Sequence, residues 1–519
     1  MNTAAFPILG VLIFLPLAAA GFLFFLRDPA SARRFALAAS LAEVLLSLAL
    51  LGLFDFGSAK MQLLERADWI PSLNISYIVG IDGLSIFFPP LTALLTLAVI
   101  AASWTQVQTQ ARLYFALTLI LESATLGVFC ALDLALFFLF WELTLIPIFF
   151  LVSLWGIGPQ RRYAASKYTL FMLAGGVPLL FGIILLALNH AEQMGLSAPR
   201  GLSFDYLTLI HQPVSEELRT SVFLLLFLGF AVKAPLFPFH TWLPTVAMEG
   251  PAGVSALITG LKPGLYGIMR FAIPMVPDAA AENIWLLTAL GSVGVLYGAL
   301  IALKQTNLRR LLAYSSISHA GFVVIGLATL NLQGVQGALF QLVNFAAVSG
   351  GIFLLAGFIH HRLGSTELSN LGGLARSMPL LTTFFFLLGI AAMGVPGTSG
   401  FAAEHLIVIG AFKAHAGTGL AALAGVILGA AYFLGFFQRA FWGPIKLAAV
   451  RTAPDLRPRE LALASILAGL VLLGGLAPGM VTHASGPAVS AWVARVNSLS
   501  GPSAYAELPK GFQSGDLTP

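Results

Sequence analysis

The chain is 519 residues long, 58% hydrophobic and only 9% charged, with a formal net charge of +5. Soluble proteins carry about 25% charged residues, so this composition excludes a water-soluble core and makes lipid the solvent for most of the chain. The basic residues are scattered through short connections rather than massed on one face, which argues against nucleic acid as a partner, and the single cysteine, Cys130, cannot form an internal disulfide.

Apolar stretches of spanning length recur along the chain. They predict an all-α polytopic membrane protein with about fourteen transmembrane helices, near 5–26, 35–54, 84–104, 113–131, 133–155, 168–189, 221–242, 251–274, 283–303, 310–329, 334–358, 378–412, 417–442 and 461–480. The opening MNTAAFPILGVLIFLPLAAAGFLFFL lacks a basic leader and exceeds a signal-peptide core in length, so it reads as a retained helix. The separation of the fourth and fifth segments rests on Ala131-Leu132-Asp133 alone. The stretches 55–83, 190–220 and the tail after 481 read as non-spanning pieces.

With fourteen crossings, the loops holding Arg27, Arg33 and Arg34, then Arg161, Arg162 and Lys167, then Lys304, Arg309 and Arg310, then Arg439, Lys446, Arg451, Arg457 and Arg459 all fall on one face. Basic short loops mark the cytoplasmic side, which puts both termini outside the cytoplasm. The seventh segment carries Pro235 and Pro238, and the twelfth carries Gly394, Pro396, Gly397 and Gly400. Proline removes a backbone donor and crowds the preceding turn, and unwound backbone at membrane depth survives only where protein or a wet cavity covers it. Two broken helices at matching places predict two inverted five-helix repeats, helices 4–8 and 9–13, with broken helices 7 and 12. The expected divisions are 1–112 (three helices and an outer loop), 113–274 (first repeat), 283–442 (second repeat) and 443–519 (a last helix and an outer tail).

Charged groups interrupt the apolar segments. Each costs about 2.5–3.5 kcal/mol at the bilayer centre even on the most lenient scale, so a series of them reads as an ion or proton path. Lys233 lies well inside the seventh segment, and a proline break just beyond it makes snorkelling awkward. Burial disfavours a charged amine and a neighbouring carboxylate favours it, so a moving carboxylate can switch such a lysine. Glu142, in FFLFWELTLIPIFF, is the expected carboxylate; a static ion pair is the alternative. Lys262, in ITGLKPGLYG, reads as a carrier or as a packing lysine capped by carbonyls. His319, among Tyr314, Ser315, Ser316 and Ser318, reads as a relay or a satisfied core histidine. Glu404 follows the twelfth-helix break and reads as an exit gate.

Glu122 is about as deep as Glu142 and is a further path candidate, as is His240 at the end of the seventh segment. Asp133 reads as interfacial. Glu43 lies outside the repeats, contacting a partner or staying protonated. His360 and His361 read as solvated loop residues without the further ligands a metal site needs. Catalytic residues, a dinucleotide fingerprint, a phosphate loop and an iron–sulfur cysteine cluster are all missing, so no redox cofactor or metal is expected in this chain.

The stretches VFCALDLALFFLFWELTLIPIFFLVSLWG, AVKAPLFPFHTWLP, LRRLLAYSSISHAGFVVIG and GVPGTSGFAAEHLIVIGAF resemble the antiporter-like subunit M of bacterial respiratory complex I, the equivalent of mitochondrial subunit 4, within a family that also includes multisubunit cation/proton antiporters. The resemblance runs from about 75 to 440. It implies fourteen helices with two inverted repeats, Glu142 and Lys233 as a coupled pair, Lys262 as the central relay and Glu404 as the terminal site. It implies a proton-translocating subunit of a complex I-type NADH:quinone oxidoreductase in the bacterial inner membrane. NADH, FMN, iron–sulfur clusters and quinone would then be held by partner subunits, among them sister antiporter-like subunits. The chain departs from the family's pattern at Thr245 and Ala247, where an acid and a histidine are expected, and at Phe345, where a histidine is expected. These departures leave open a non-redox assembly, either a multisubunit cation/proton antiporter or an energy-coupled inorganic-carbon uptake complex.

Overall fold

A computed structural model describes residues 6–499. The chain enters on α1 (Ile8–Leu23) and α2 (Pro29–Leu53), and Asp28 caps α2 by accepting from the Ala30 and Ser31 amides. A two-stranded antiparallel hairpin follows, β1 (Gln62–Ile70) and β2 (Ile75–Ile81), turning through Asn74 in a left-handed conformation. No strand was expected here: Ile75, Tyr77, Val79 and Ile81 do alternate along β2, but β1 carries its apolar residues in adjacent pairs, Leu63-Leu64 and Trp69-Ile70, without alternation.

After α3 (Phe88–Ala102) come α4 (Ala111–Cys130), α5 (Leu134–Trp155), α6 (Arg161–Gln193), α7 (Glu216–Lys233), α8 (Trp242–Glu249), α9 (Ala252–Gly260) and α10 (Pro263–Gly267), which runs on through a π turn. Then follow α11 (Ile284–Leu303), α12 (Leu308–Ala328), α13 (Leu332–Leu363), α14 (Pro379–Ala392), α15 (Ser399–Ala414) and α16 (Ala416–Phe437). Two more helices, α17 (Pro458–Leu476) and α18 (Gly479–Leu499), close the described chain. The tail expected after 481 is thus largely helical up to 499, and its Trp492 indole donates to the Met269 carbonyl at 2.8 Å.

The expected count of fourteen crossings is not reproduced by helix length. Among the described residues, nine helices are long and apolar enough to cross a membrane. The remaining windows hold helices that are shorter, as α1 and α3 are, or that proline and glycine interrupt. Pro235 cannot donate to Ala231, whose carbonyl is taken by the Leu236 amide at 3.0 Å, and α7 stops at Lys233. The segment at 378–412 is cut between Ala392 and Ser399. The doubtful separation at 131–133 is real: the Leu132 amide donates to Ile78 of the hairpin at 2.8 Å, and Asp133 caps α5 by accepting from Ala135 and Leu136. Asp133 is buried at this helix start.

Loops that the charge pattern assigned to one face do meet in space. The Arg33 guanidinium reaches the Val107 carbonyl at 2.8 Å, the Trp155 indole the Thr109 carbonyl at 2.9 Å, and the Gln160 amide the Glu249 carboxyl at 2.7 Å. At the opposite end Glu65 accepts from the first-turn amides of Leu9 and Gly10 at 2.7 and 2.8 Å, and Asn74 reaches the Leu202 carbonyl at 3.0 Å. Side chains such as Phe25, Leu170 and Ile427 are exposed on the outside, as a lipid-facing surface requires.

Candidate functional site

Lys233 is the last residue of α7, and the break beyond it frees backbone carbonyls inside the bundle. The Trp242 indole takes the Val232 carbonyl at 3.0 Å. The Lys233 amine crosses to α5, where it donates to the Trp141 carbonyl and the Thr144 hydroxyl, both at 2.8 Å, and lies 3.9 Å from the centre of the Trp141 ring. It can do so because α5 is interrupted at Thr144, one turn before Pro147, whose missing N–H leaves the preceding turn short of a donor.

Glu142, the expected carboxylate partner, is not ion-paired with Lys233 within 4.0 Å. Adjacent residues point about 100° apart around a helix, so the α5 face that offers Trp141 and Thr144 to the amine turns Glu142 toward α6. There its carboxyl abuts Gly176, at a spot a β-carbon would fill, and one of its oxygens has no partner. The pair of the sequence reading is adjacent but unjoined.

The small exposure of Lys233 is to an internal cavity, which Thr92, Thr96, Glu122, Thr144 and Tyr168 also line. About 40 Å³ of it is open to the centres of water molecules, room for about three or four waters at about 10–15 Å³ each. Glu122 faces this space with both carboxyl oxygens unpartnered. His240 is buried in the break after α7 among the rings of Phe237, Tyr297 and Tyr314, with Nδ1 unpartnered. Among the described residues no hydrogen bond joins it to Lys233 or Lys262.

Lys262 stands between α9 and α10, where Pro263 starts a new helix. Its amine is buried, donates to the Ser316 hydroxyl at 2.6 Å and lies 5.3 Å from the centre of the Phe345 ring. One residue earlier on α12, the Ser315 hydroxyl contacts the Tyr432 hydroxyl at 2.7 Å and His319 Nδ1 at 3.4 Å. The other ring nitrogen of His319 lies 3.2 Å from Glu404 Oε1 and 3.0 Å from the Ala392 carbonyl freed by the α14–α15 break. Gly394, at φ +65°, packs against the Glu404 carboxyl where a β-carbon would collide. A cavity with about 20 Å³ open to water centres lies beside His319, lined by Ser315, Gln341, Asn344 and Phe345. The second half is therefore arranged around α12: Ser316 meets Lys262, while Ser315 and His319, one turn apart, lead to Glu404.

The sequence reading named Lys233, Glu142, Lys262, His319 and Glu404, and Ser315 and Ser316 beside His319, but missed Trp141, Thr144 and Tyr432. Nothing local marked these three, because their roles arise from partners on distant helices. His360 and His361 lie in the last turn of α13 rather than in a loop. No group of three or more potential metal ligands occurs among the described residues.

Residues 131–429 match the transmembrane family of NADH:quinone oxidoreductases and Mrp antiporters. Over 496 residues the chain is 37% identical to NADH-quinone oxidoreductase subunit M of Rhodobacter capsulatus, covering 93% of this chain and 96% of that one. It is also 37% identical over 482 residues to F(420)H(2) dehydrogenase subunit M of Methanosarcina mazei, covering 92% and 96%. Among solved structures, a chain of respiratory complex I from Thermus thermophilus superposes with a TM-score of 0.85 at 31% identity, covering 94% of this chain and 99% of that one. The broken helices, the lysines beside them and these likenesses agree, and the chain belongs to the NADH:quinone oxidoreductase/Mrp antiporter family of transmembrane subunits.

Proposed function

We propose that the chain is a proton-translocating membrane-arm subunit of a complex I-type quinone oxidoreductase. The observation that carries this reading is the placement of Lys233 and Lys262 at helix breaks against hydroxyls, with Lys233 also lining a water-sized cavity, and of His319, beside a second such cavity, in contact with Glu404 just after the α14–α15 break. Regions 113–274 and 283–442 act as the two inverted repeats.

Lys233 is held by neutral oxygens while Glu142 stands aside at Gly176. Two charges brought to about 4 Å interact by about 4 kcal/mol at an effective dielectric of 20, and 1.36 kcal/mol changes an acid's dissociation tenfold. A swing of Glu142 toward the amine is thus enough to change how firmly Lys233 holds its proton. Quinone chemistry elsewhere in the assembly drives that swing. The proton released passes by cavity water to Lys262, by Ser316, Ser315 and His319 to Glu404, and out. Phe345 fills the position where a further histidine was expected; the α12 hydroxyls and the direct contact of His319 with Glu404 take its part.

The donor of electrons belongs to other subunits. Relatives of equal identity are named for NADH and for F420H2, so this chain does not select between them. NADH, FMN, iron–sulfur clusters and quinone lie in those partners, which include sister antiporter-like subunits. The membrane is the bacterial inner membrane, with the basic loops in the cytoplasm and both termini opposite; residues 1–5 and 500–519 lie outside the described residues. The redox reading is preferred to a non-redox antiporter or carbon-uptake assembly because both of these relatives carry oxidoreductase names. Purification of the native assembly in mild detergent tests it. Co-purifying quinone-linked iron–sulfur subunits support the reading, and a complement of antiporter or zinc-enzyme subunits alone overturns it.

A further inference from the structure

Two buried carboxyls remain outside the path just described. Glu122 on α4 and Glu43 on α2 are each 1% exposed, and all four of their carboxyl oxygens lack a partner among the described residues. The helices that carry them, α2 and α4, pack against one another. Ser40 and Ser47 share the buried face of α2 with Glu43, but their hydroxyls are spent on the Leu37 and Val44 carbonyls at 3.1 and 2.8 Å. Among the described residues no arginine, lysine or histidine pairs with either carboxyl.

Glu122 is aimed into the cavity that also holds Lys233. Between them Thr92 and Thr96, one turn apart on α3, present hydroxyls that are 1% exposed and likewise unpartnered. Three polar side chains without partners among the described residues, Thr92, Thr96 and Glu122, thus line this small space, and Glu43 sits behind them on the helix packed against α4. Bare carboxylates in such surroundings are far costlier to bury than carboxylic acids, and two neighbouring carboxyls resist ionising together. Water bonded to Thr92, Thr96 and Glu122 satisfies the hydroxyls and gives the acid a route for its proton.

We propose that Glu43 and Glu122 form a second proton-holding site that exchanges with Lys233 through water in this cavity. The branch leaves the main path at Lys233, crosses α3 and α4, and ends on α2, whose far side is the outer surface carrying exposed Leu41, Leu45 and Leu48. The pair stores one exchangeable proton beside the lysine that Glu142 switches. This inference rests on the proton-path reading of Lys233 and adds a branch to it.

The test uses the native assembly with Glu43→Gln, Glu122→Gln and the double variant, and with Lys233→Met as comparator. Infrared difference spectra during turnover, in H2O and D2O, read the carbonyl stretch of protonated carboxyls, and proteoliposomes read protons moved per electron. The expected result is a turnover-linked carboxyl band that weakens or shifts in each single variant and vanishes in the double, with pumping reduced several-fold. Thr92→Val with Thr96→Val dries the cavity without touching either acid, and is expected to reduce pumping and leave the band present but unresponsive to turnover; this arm stands even if a glutamate variant fails to assemble. Unchanged pumping in these variants, or a band that never responds to turnover in the parent protein, overturns the branch. If Lys233→Met alone stops pumping, only the branch has failed; if Lys233→Met pumps normally, the underlying path has failed too.

Discussion

Lys233 and Thr144 are joined by a 2.8 Å hydrogen bond between two interrupted helices, and Glu142, two residues before Thr144, is left out of it. The lysine therefore sits with a carbonyl and a hydroxyl, in a state from which a carboxylate can reclaim it. A hydrogen bond to a charged group contributes about 1.5–3 kcal/mol. Thr144→Val keeps the shape and removes the acceptor, so the proton-loaded amine becomes about tenfold to a hundredfold rarer. Pumping by reconstituted complex is expected to fall accordingly while assembly, read by native gel, is unchanged.

Gly176 gives Glu142 its resting place. Gly176→Ala adds a methyl where that carboxyl lies and, in mid-helix, raises helix propensity by about 0.8–1 kcal/mol. The expected outcome is slower pumping with no fall in thermal stability. A variant that loses both together points instead to a packing defect. Gly394 differs: its φ of +65° makes any side chain strained, at about 1–3 kcal/mol, so Gly394→Ala is expected to lower stability and pumping together.

The link from Lys262 to the second half runs through Ser316, whose hydroxyl is 2.6 Å from the amine. Ser316→Ala removes it and is expected to reduce proton flux several-fold. Phe345 stands beside both Lys262 and His319, with ring centres 6.5 Å apart for the latter pair. Phe345→His in the Ser316→Ala background offers a titratable ring in the same gap and is expected to restore part of the flux. No restoration in an assembled double variant sets the α12 route aside.

Away from the path, Arg270 and Asp82 form a buried pair, 2% and 5% exposed, with one contact at 2.7 Å between the π turn after α10 and the segment leading into α3. Removing one partner leaves an uncompensated buried charge, at about 3–5 kcal/mol. Asp82→Ala is expected to lower the detergent-solubilised melting temperature markedly, and Asp82→Ala with Arg270→Met to recover much of it.

The sequence disclosed the ionisable groups because a charge inside an apolar window is costly wherever the window packs. It disclosed the two breaks because Pro235, Pro238 and Pro396 act on their own helices. It did not disclose how the groups pair. The 2.8 Å contact of Lys233 with Trp141 depends on how α5 and α7 cross, and the 3.2 Å contact of His319 with Glu404 on how α12 meets α15; neither is encoded locally. The hairpin at 62–81 and α18 were missed for a related reason. Both are half-covered elements at one end of the bundle, and their apolar residues read as helix or strand only once the surface beneath them is known.

The central claim is that Lys233 carries protons in step with electron transfer. Lys233→Met keeps the length and apolar stem of the side chain and deletes the ionisable group. In the assembled complex in sealed vesicles, the account predicts that protons moved per electron fall while quinone reduction, measured with an uncoupler present, continues. An assembled Lys233→Met complex with the parent ratio would contradict it.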